Sequence, residues 1–276
     1  MMVREYSRAK EFLSRVKDFL REREDVNGLP LGILLGLAAA SSPQKGFFAT
    51  AEEQGDLSLV MVMTTGHLIL ASAGPDWQRG VAAGTAYLAR AGLSLTGVIG
   101  PREAAQLFAL MWRPRLPLQV EMEQRIYRLD AVNQVTLSPG RLRLATEEDG
   151  VLLSRWIEAF CREALEEISP EQAQAMVTTG LASKAIYLWD DGQAVSMAKK
   201  TRPTYRGISL NLVYTPPEYR GRGYATSSVA SLCRTLLDQG FGFCCLYTDL
   251  ANPTSNKIYR DIGFVPVADS LSIGFT

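Results

Sequence analysis

The chain has 276 residues, of which 47% are hydrophobic and 21% charged, and its 29 basic residues balance its 29 acidic ones. This composition is typical of a globular protein, and the length favours two domains over one. A formal net charge of zero argues against a nucleic-acid or polyanionic partner, because such partners select for basic surfaces.

The sequence predicts a cytoplasmic protein without a membrane anchor or a metal site. The uncharged run Gly28–Ala40 is too short to span a bilayer, and charged residues run through the first 25 positions, unlike a signal peptide. The chain has one histidine, His67, and no Cys-x-x-Cys pair, so a zinc site is not expected. We interpret the four cysteines as reduced core residues: Cys161, Cys233, Cys244 and Cys245.

Hydrophobic periodicity and turn residues predict the elements of the first half of the chain. In order, they are an amphipathic helix over 3–24, a buried helix over 30–40, a hairpin of strands 46–51 and 57–63, a strand over 67–72, a helix over 77–91, a strand over 96–99, a helix from 100 to 112 and a strand over 118–129.

The second half repeats this order of strands and helices after a polar turn, Ser138-Pro139-Gly140. Helix-entry signals follow Thr146 and Ser169, the latter with proline at the first helical position. The predicted elements are a strand over 142–145, helices after 146 and after 169, strands over 185–189, 194–201 and 208–214, a helix after the turn at 220–223, a strand over 243–248, a helix over 253–261, and a terminal hairpin of 264–268 with 271–275.

The repeated order predicts two copies of one α/β plan, with a mostly antiparallel sheet and helices on both faces. We place the first domain at residues 1–135 and the second at residues 136–276. An unrelated α/β domain remains the alternative for the first half, because the inference rests on element order and not on sequence identity.

A glycine-rich turn joins strand 208–214 to the next helix and has the features of an anion site. Gly221 and Gly223 allow backbone conformations that other residues avoid, and the following helix points free N–H groups at the turn. A phosphate or pyrophosphate would fit there. No Gly-Lys-Ser/Thr is present, which excludes a P-loop, and the third glycine of a dinucleotide fingerprint is missing.

The segment Arg220-x-x-Gly223-x-Ala225 resembles the [Q/R]-x-x-G-x-[G/A] signature of the GNAT superfamily of acyl-CoA-dependent N-acyltransferases. The downstream Asn252–Tyr259 segment and Gly263-Phe264 stand at the offset that this family uses. The resemblance covers roughly residues 140–276 and implies a tandem GNAT-like fold. The first copy would be degenerate, because its counterpart turn, 73–77, lacks the signature.

The resemblance implies coenzyme A, as acetyl-CoA, for the cofactor, and a division of roles around the turn. Backbone amides from the turn would hold the pyrophosphate, and main-chain groups at the end of the preceding strand would pair with the pantetheine arm. An N–H near Tyr214 would polarise the thioester carbonyl. The candidate cofactor-binding residues are Val213, Tyr214, Thr215, Arg220, Gly221, Arg222, Gly223, Tyr224, Ala225, Thr226, Asn252, Ser255 and Tyr259.

Tyr259 is the candidate catalytic residue, as general acid for the departing thiolate. Asn252 is typical of a helix N-cap, and Tyr259 lies two turns further on the same face. A phenol can protonate a thiolate, and the family uses its tyrosine at this position in that role. Half-buried packing is the alternative interpretation of the helix taken alone.

The general base is not identified by the sequence. Asp249 and Glu218 are the nearby carboxylates, but Asp249 could cap the following loop, and a water chain serves as well. His67 falls in the half without the signature, which favours a structural role. Three aromatic residues could line an acceptor pocket or simply pack in the core: Trp156, Phe160 and Tyr187.

We therefore expect an N-acetyltransferase acting on a primary amine of a small molecule or a peptide, as a monomer or homodimer. A module that binds or senses acyl-CoA without turnover is the alternative, motivated by the missing base. A longer acyl group or an oxygen acceptor is a further possibility.

Overall fold

The computed structural model describes residues 1–40, 45–164 and 168–275. The chain folds into two compact units. Unit 1 contains the first part of the chain and also two short segments from near its end. Unit 1 contains Met1–Tyr127, Tyr247–Pro253 and Pro266–Thr276, and unit 2 contains Arg128–Leu246 and Thr254–Val265. These are units of packing, and the division into two copies at 135/136 stays a prediction about the sequence.

The described residues form the following helices and strands. In order they are β1 (Met2–Tyr6), α1 (Ala9–Glu22), α2 (Gly28–Ala39), β2 (Phe47–Glu53), β3 (Asp56–Met63), β4 (His67–Ser72), α3 (Trp77–Arg90), β5 (Gly97–Pro101), α4 (Arg102–Trp112), β6 (Gln119–Leu129), β7 (Arg141–Leu144), α5 (Gly150–Glu163), α6 (Pro170–Ala182), β8 (Ile186–Asp190), β9 (Ala194–Thr201), β10 (Gly207–Tyr214), α7 (Tyr224–Asp238), β11 (Phe243–Asp249), α8 (Pro253–Ile262) and β12 (Val265–Gly274).

Unit 1 is a sheet in the order β1-β2-β3-β4-β5-β12-β6. Its ladders are antiparallel from β1 to β4 and between β5 and β12, and parallel between β4 and β5. Alternate side chains of β2 reach different cores: Phe48 packs with α1 and α2, while Phe47 packs with α3 and α4. The sheet of this unit is therefore covered on both faces, as its apolar strands require.

Unit 2 is a sheet in the order β11-β10-β9-β8-β7, with β10 and β11 parallel and the other ladders antiparallel. Apolar residues of β8, β9 and β10 pack against α5 and α6 around Trp156. The α7 helix packs on the same strands and buries Leu232, Cys233 and Leu236. A mixed α/β fold with a mostly antiparallel sheet is thus confirmed.

Both predicted helix-entry signals operate as capping boxes. The Ser169 hydroxyl accepts a hydrogen bond from the Gln172 N–H at 3.2 Å, and the Gln172 side chain accepts one from the Ser169 N–H at 2.7 Å. Before α5, the Asp149 carboxylate accepts a bond from the Thr146 N–H at 2.8 Å. These bonds satisfy N–H groups that the first helical turn leaves free.

The structure corrects the predictions at the two ends of the chain. Residues 3–24 are not one helix, because Met2–Tyr6 pairs with β2 as a strand and the Tyr6 ring packs on Phe12 at 5.2 Å. The terminal hairpin is instead one strand, β12. The polar residues that suggested its turn have partners on neighbouring segments: Asp269 binds Arg125 at 2.8 Å, and Ser270 donates to the Gly100 carbonyl.

Among the described residues, no helix combines the length and the apolar character needed to cross a membrane. Nor does any group of His, Cys, Asp and Glu in the described part of the chain have an arrangement that could hold a metal ion. All four cysteines are buried and lie outside any disulfide in the described structure.

Candidate functional site

The β10 strand changes its register just before the glycine turn. Asn211 lies opposite Lys199 of β9 and Tyr214 opposite Met197, so β10 has one residue more than β9 between these pairs. Leu212, inside this bulge, has a φ of +48°, a conformation that costs a side-chain-bearing residue about 1 kcal/mol or more. Strain of this kind persists where the surrounding structure imposes it, commonly at ligand sites.

The bulge turns the end of β10 out of its parallel ladder. The ladder with β11 runs from Gly207↔Phe243 to Leu210↔Leu246, and β10 continues for the segment 211–214 beyond it. Main-chain groups in this segment lie at the edge of the ladder. The family resemblance assigns the pantetheine arm to the main chain of Val213 and Tyr214, in this segment, and of Thr215, which follows it.

The turn itself is built on two left-handed glycines. Gly221 has a φ of +75° and Gly223 a φ of +78°, so neither position accepts a larger residue without strain. A Cβ on Gly221 would meet no atom within 4 Å, which leaves open space beside the chain. Gly223 is the residue that caps α7.

Two serines that the sequence analysis did not single out hold the turn in place. The Ser138 hydroxyl donates to the Arg222 carbonyl at 2.6 Å, and the Ser138 N–H donates to the Ser227 hydroxyl at 2.8 Å. Ser227 in turn donates to the Gly223 carbonyl at 3.0 Å. Ser138 and Ser227 are 89 positions apart, so no local pattern could have linked them.

Arg220, the first residue of the signature, is committed to the scaffold. Its guanidinium donates to the Thr215 carbonyl and makes two bonds to the Glu163 carboxylate, at 2.7 and 2.8 Å. The residue thus joins the end of β10 to the C-terminal end of α5. Tyr224 is fixed similarly, because its hydroxyl donates to Asp191 at 2.6 Å and this bond raises the pKa of the phenol.

The carbonyl of Tyr214 also has a protein partner. The Ser196 hydroxyl of β9 donates to it at 3.2 Å, and the Thr215 hydroxyl donates to Ser196 at 2.9 Å. The Tyr214 ring faces the core, 6.3 Å from Trp156. These hydrogen bonds fix the peptide backbone at Tyr214. A backbone N–H that stabilises an oxyanion needs to be fixed in this way.

The N-terminus of α7 is suited to an anion. Its first turn contains no acidic residue, and the first N–H groups of any helix have no acceptor within the helix. The helix dipole adds a partial positive charge at the same end. Tyr224, Ala225 and Thr226 supply these N–H groups, and the open side of Gly221 admits a ligand. The chemistry of these donors fits the pyrophosphate of coenzyme A.

Tyr259 lies in the interior of unit 2, on α8. Its side chain is only 7% exposed, and its ring makes an edge contact with Phe264 at 5.8 Å. Burial, and next the neighbouring Cys233 of α7, raise the pKa of the phenol above its ordinary value. Like any tyrosine, it carries its proton at neutral pH, and burial makes it a weaker acid than an exposed phenol.

The remaining predicted residues lie at the start of α8. Asn252 directly precedes the helix and is exposed, and Ser255 is half-buried in the first turn. The Asp249 carboxylate accepts a bond from the Ala251 N–H at 2.8 Å, which is the loop-capping role considered above. Glu218 is an exposed turn residue.

The counterpart turn of unit 1 has the opposite electrostatic character. Asp76 occupies the position before α3, and Arg79 of that helix forms ion pairs with Asp76 at 3.3 Å and with Glu53 at 2.8 Å. Carboxylates at a helix N-terminus repel a phosphate, which this end would otherwise attract. The same unit contains His67, whose ring forms hydrogen bonds with the side chains of Thr96 and Glu121.

The aromatic residues considered for an acceptor pocket have packing partners. Trp156 of α5 is buried in the core that this helix forms with the sheet, and Phe160 packs against the edge of that core. Tyr187 lies beneath the ammonium group of Lys200, 5.8 Å from its ring centre.

Solved structures with the same architecture cover essentially the whole chain. An acetyltransferase of the GNAT family from Colwellia psychrerythraea is 12% identical with a TM-score of 0.62, and covers 100% of both chains. A GCN5-related N-acetyltransferase from Sphaerobacter thermophilus is 15% identical with a TM-score of 0.65, covering 98% of this chain and 94% of its own. A tandem GNAT protein from the clavulanic acid biosynthesis pathway is 13% identical with a TM-score of 0.58, covering 99% and 97%. None of the curated proteins matches the chain in sequence.

These similarities define the class of fold as a tandem GNAT architecture. Residues 152–264 match the model of the Acetyltransferase (GNAT) family. A match to this family indicates acyl transfer from an acyl-CoA. The matched region includes the β10 bulge, the glycine turn and Tyr259.

Proposed function

We propose that the protein is an N-acetyltransferase that moves the acetyl group of acetyl-CoA to a primary amine. The observation that carries the proposal is the turn at Gly221 and Gly223, which is open on one side, braced by Ser138 and Ser227, and followed by a helix N-terminus without acids.

The donor would supply an activated thioester, and the residues around the turn would anchor and polarise it. Amides at the start of α7 would hold the pyrophosphate, so that binding energy remote from the reaction positions the acetyl carbon. An N–H of the 213–215 segment would stabilise the negative charge that develops on the carbonyl oxygen. The strained bulge at Leu212 aims this segment away from its ladder.

Proton transfers would complete the exchange. As the amine nitrogen bonds to the carbonyl carbon, the carbon–sulfur bond breaks and its electron pair leaves with sulfur. Tyr259 would give its hydroxyl proton to that thiolate, and the amine would lose a proton to a water chain or to Asp249. The bond between Asp249 and Ala251 favours water for this step.

The alternative function is a module that binds acyl-CoA without turnover. Its support is that no carboxylate lies free beside the bulge on the described part of β10, where Ser209 and Asn211 occupy the inward positions. The presence of Tyr259 favours catalysis, because binding alone does not need a phenol at the position where the family resemblance expects a general acid.

Replacing Tyr259 with phenylalanine distinguishes these functions. The ring and its contact with Phe264 remain, so acetyl-CoA binding should be nearly unchanged, while kcat should fall about 100-fold because a general acid is lost. The measurements are calorimetric binding of acetyl-CoA and the rate of CoA thiol release with a panel of amines. Tyr87→Phe, which removes a hydroxyl in unit 1, is the matched control and should retain wild-type turnover.

If the wild type binds acetyl-CoA tightly but acylates no amine in the panel, the module without turnover is the correct function. If acetyl-CoA does not bind at all, both functions are wrong. A Tyr259→Phe enzyme with full kcat would remove the tyrosine from the mechanism while leaving acyl transfer intact.

A further inference from the structure

Two polar side chains face each other on the inner surface of unit 2. Lys199 of β9 lies opposite Asn211 of β10 in the antiparallel ladder, so both side chains project from the same face. The neighbouring pair on this face, Met197 and Tyr214, packs in the core with α5 and α6. Lys199 and Asn211 therefore interrupt an apolar surface with a cation and an amide.

Lys199 extends beneath α6, and among the described residues no acidic group raises the pKa of its ammonium group. A Cβ on Gly180 of α6 would lie 3.8 Å from the lysine Cε. Burial, and next the charge of Arg202, lower the pKa of the Lys199 ammonium group, and no residue that the structure describes raises it. A half-buried ammonium without an anion is unfavourable, so a bound anion here would offset both effects.

Asn211 has a buried acceptor atom, the side-chain Oδ1, that lacks a hydrogen-bond donor in the described structure. Buried amide oxygens are nearly always paired, and an exception among the described residues calls for a donor from water or a ligand. Asn211 directly precedes the bulge at Leu212, beside the segment to which the thioester is assigned.

We propose that Lys199 and Asn211 select an acceptor that carries a carboxylate together with its amine, which makes amino acids and related zwitterions the substrate class. The inference rests on the proposed acetyl transfer and narrows its acceptor. Lys199 binds the carboxylate by a charge-assisted hydrogen bond, and Asn211 Oδ1 accepts an N–H of the amine next to the reacting carbonyl. An amine without a carboxylate leaves the lysine uncompensated and binds more weakly.

The test compares acceptors that differ only in the anionic group. With acetyl-CoA saturating, kcat/KM is measured for phenylalanine, phenylalanine amide and phenethylamine, and for glycine, glycinamide and methylamine. The wild type should prefer the amino acid by about tenfold or more in at least one set, mainly through KM, as expected for one buried charge-assisted bond. Lys199→Met should abolish the preference, and Lys199→Arg should retain part of it.

Lys200→Met is the matched control, because this lysine is the next residue on β9 and its ammonium group lies over the Tyr187 ring instead. It should keep the wild-type preference. Asn211→Leu should raise KM for every amine in both sets, with or without a carboxylate. Thermal unfolding of each variant confirms that it is folded.

Equal kcat/KM for amino acid and amide in the wild type, or a preference that survives in Lys199→Met, overturns the proposal. Inorganic phosphate and phenylpropionate are tested as inhibitors of acetyl transfer. If they inhibit as strongly as amino acids do, and the enzyme shows no preference for carboxylate-bearing amines, Lys199 binds anions in general and the proposal is wrong. If no amine is acylated, the CoA complex is titrated calorimetrically with phenylalanine and with glycine to test whether it binds an amino acid. Absence of binding also overturns the proposal. Failure of acetyl transfer itself is recognised separately, by the loss of acetyl-CoA binding or of all CoA release.

Discussion

Gly223 has a left-handed backbone conformation and directly precedes the helix N-terminus that we propose to bind the cofactor. Its φ of +78° favours glycine, and a Cβ there would lie 2.8 Å from the Ser138 hydroxyl that braces the turn. Gly74, in the counterpart turn of unit 1, has nearly the same φ, +76°, but a Cβ there would meet nothing within 4 Å. Both positions require a left-handed backbone, but only at Gly223 would a side chain also disturb the residues that hold the turn. Comparing the two therefore separates the backbone requirement from the effect on the turn.

Gly223→Ala should lower both stability and acetyl-CoA affinity. The left-handed conformation costs alanine about 1 kcal/mol, and Ser138 must move, which shifts the amides proposed to hold the pyrophosphate. Gly74→Ala should lose a similar free energy of unfolding but keep wild-type affinity. Urea unfolding and calorimetric titration measure the two quantities. An unchanged dissociation constant for Gly223→Ala would contradict the assignment of the turn.

The start of α5 shows how one element is fixed to another. Arg143 of β7 donates to both oxygens of Asp149, at 2.7 and 2.8 Å, and to Asp190 of β8 at 2.6 Å. Asp149 also accepts the Thr146 N–H. The Arg143 guanidinium beside Asp149 holds the pKa of that carboxyl below its usual value. Strand and helix are thereby joined at a largely buried carboxylate.

Asp149→Asn should destabilise unit 2 by about 2 kcal/mol at pH 7, because a charged acceptor of several hydrogen bonds is lost. The folded-state pKa of Asp149 is depressed, so its contribution is present above the unfolded value of about 3.9 and disappears as the pH falls below it. The difference in unfolding free energy between wild type and variant should therefore shrink between pH 5 and pH 3.

The exposed Asp238, near the C-terminal end of α7, supplies the control. Asp238→Asn should change the free energy of unfolding by less than about 0.5 kcal/mol at any of these pH values. A difference for Asp149→Asn that is independent of pH would show that the charge of Asp149 is not the stabilising feature.

At the scale of the whole molecule, the two units share a plan but not a site. Unit 2 presents glycines and a helix N-terminus without acids, whereas unit 1 places Asp76 and Glu53 around the start of α3. We infer that duplication of the fold left one working cofactor site. In unit 1, the carboxylates of Asp76 and Glu53 lie at the start of α3 and pair with Arg79.

Calorimetric titration should accordingly find one acetyl-CoA bound per chain. Gly223→Ala should weaken that single binding event, and Gly74→Ala should leave its stoichiometry and affinity unchanged. Two equivalent binding events per chain would contradict the inference that unit 1 has lost the site.

Local signals in the sequence determined most helices and strands, the two capping boxes and the glycine turn, because each depends on residues close together in the chain. The GNAT family could be predicted for the same reason, since Arg220, Gly223 and Ala225 form a contiguous pattern. The strand at 2–6 and the single β12 strand were missed, because pairing with distant strands overrode the local helix and turn preferences.

Only the tertiary structure decided how the turn is held and where the inner polar pair lies. Ser138 meets Ser227, Glu163 meets Arg220 and Lys199 meets Asn211 through strand register and packing, which join residues far apart in sequence. The sequence by itself determined which chemistry the chain is equipped for, since that depends on residue types in a short segment. The bulge, the burial of Tyr259 and the half-buried ammonium group of Lys199 depend on the folded environment, because solvation and strand register are set only when the chain folds.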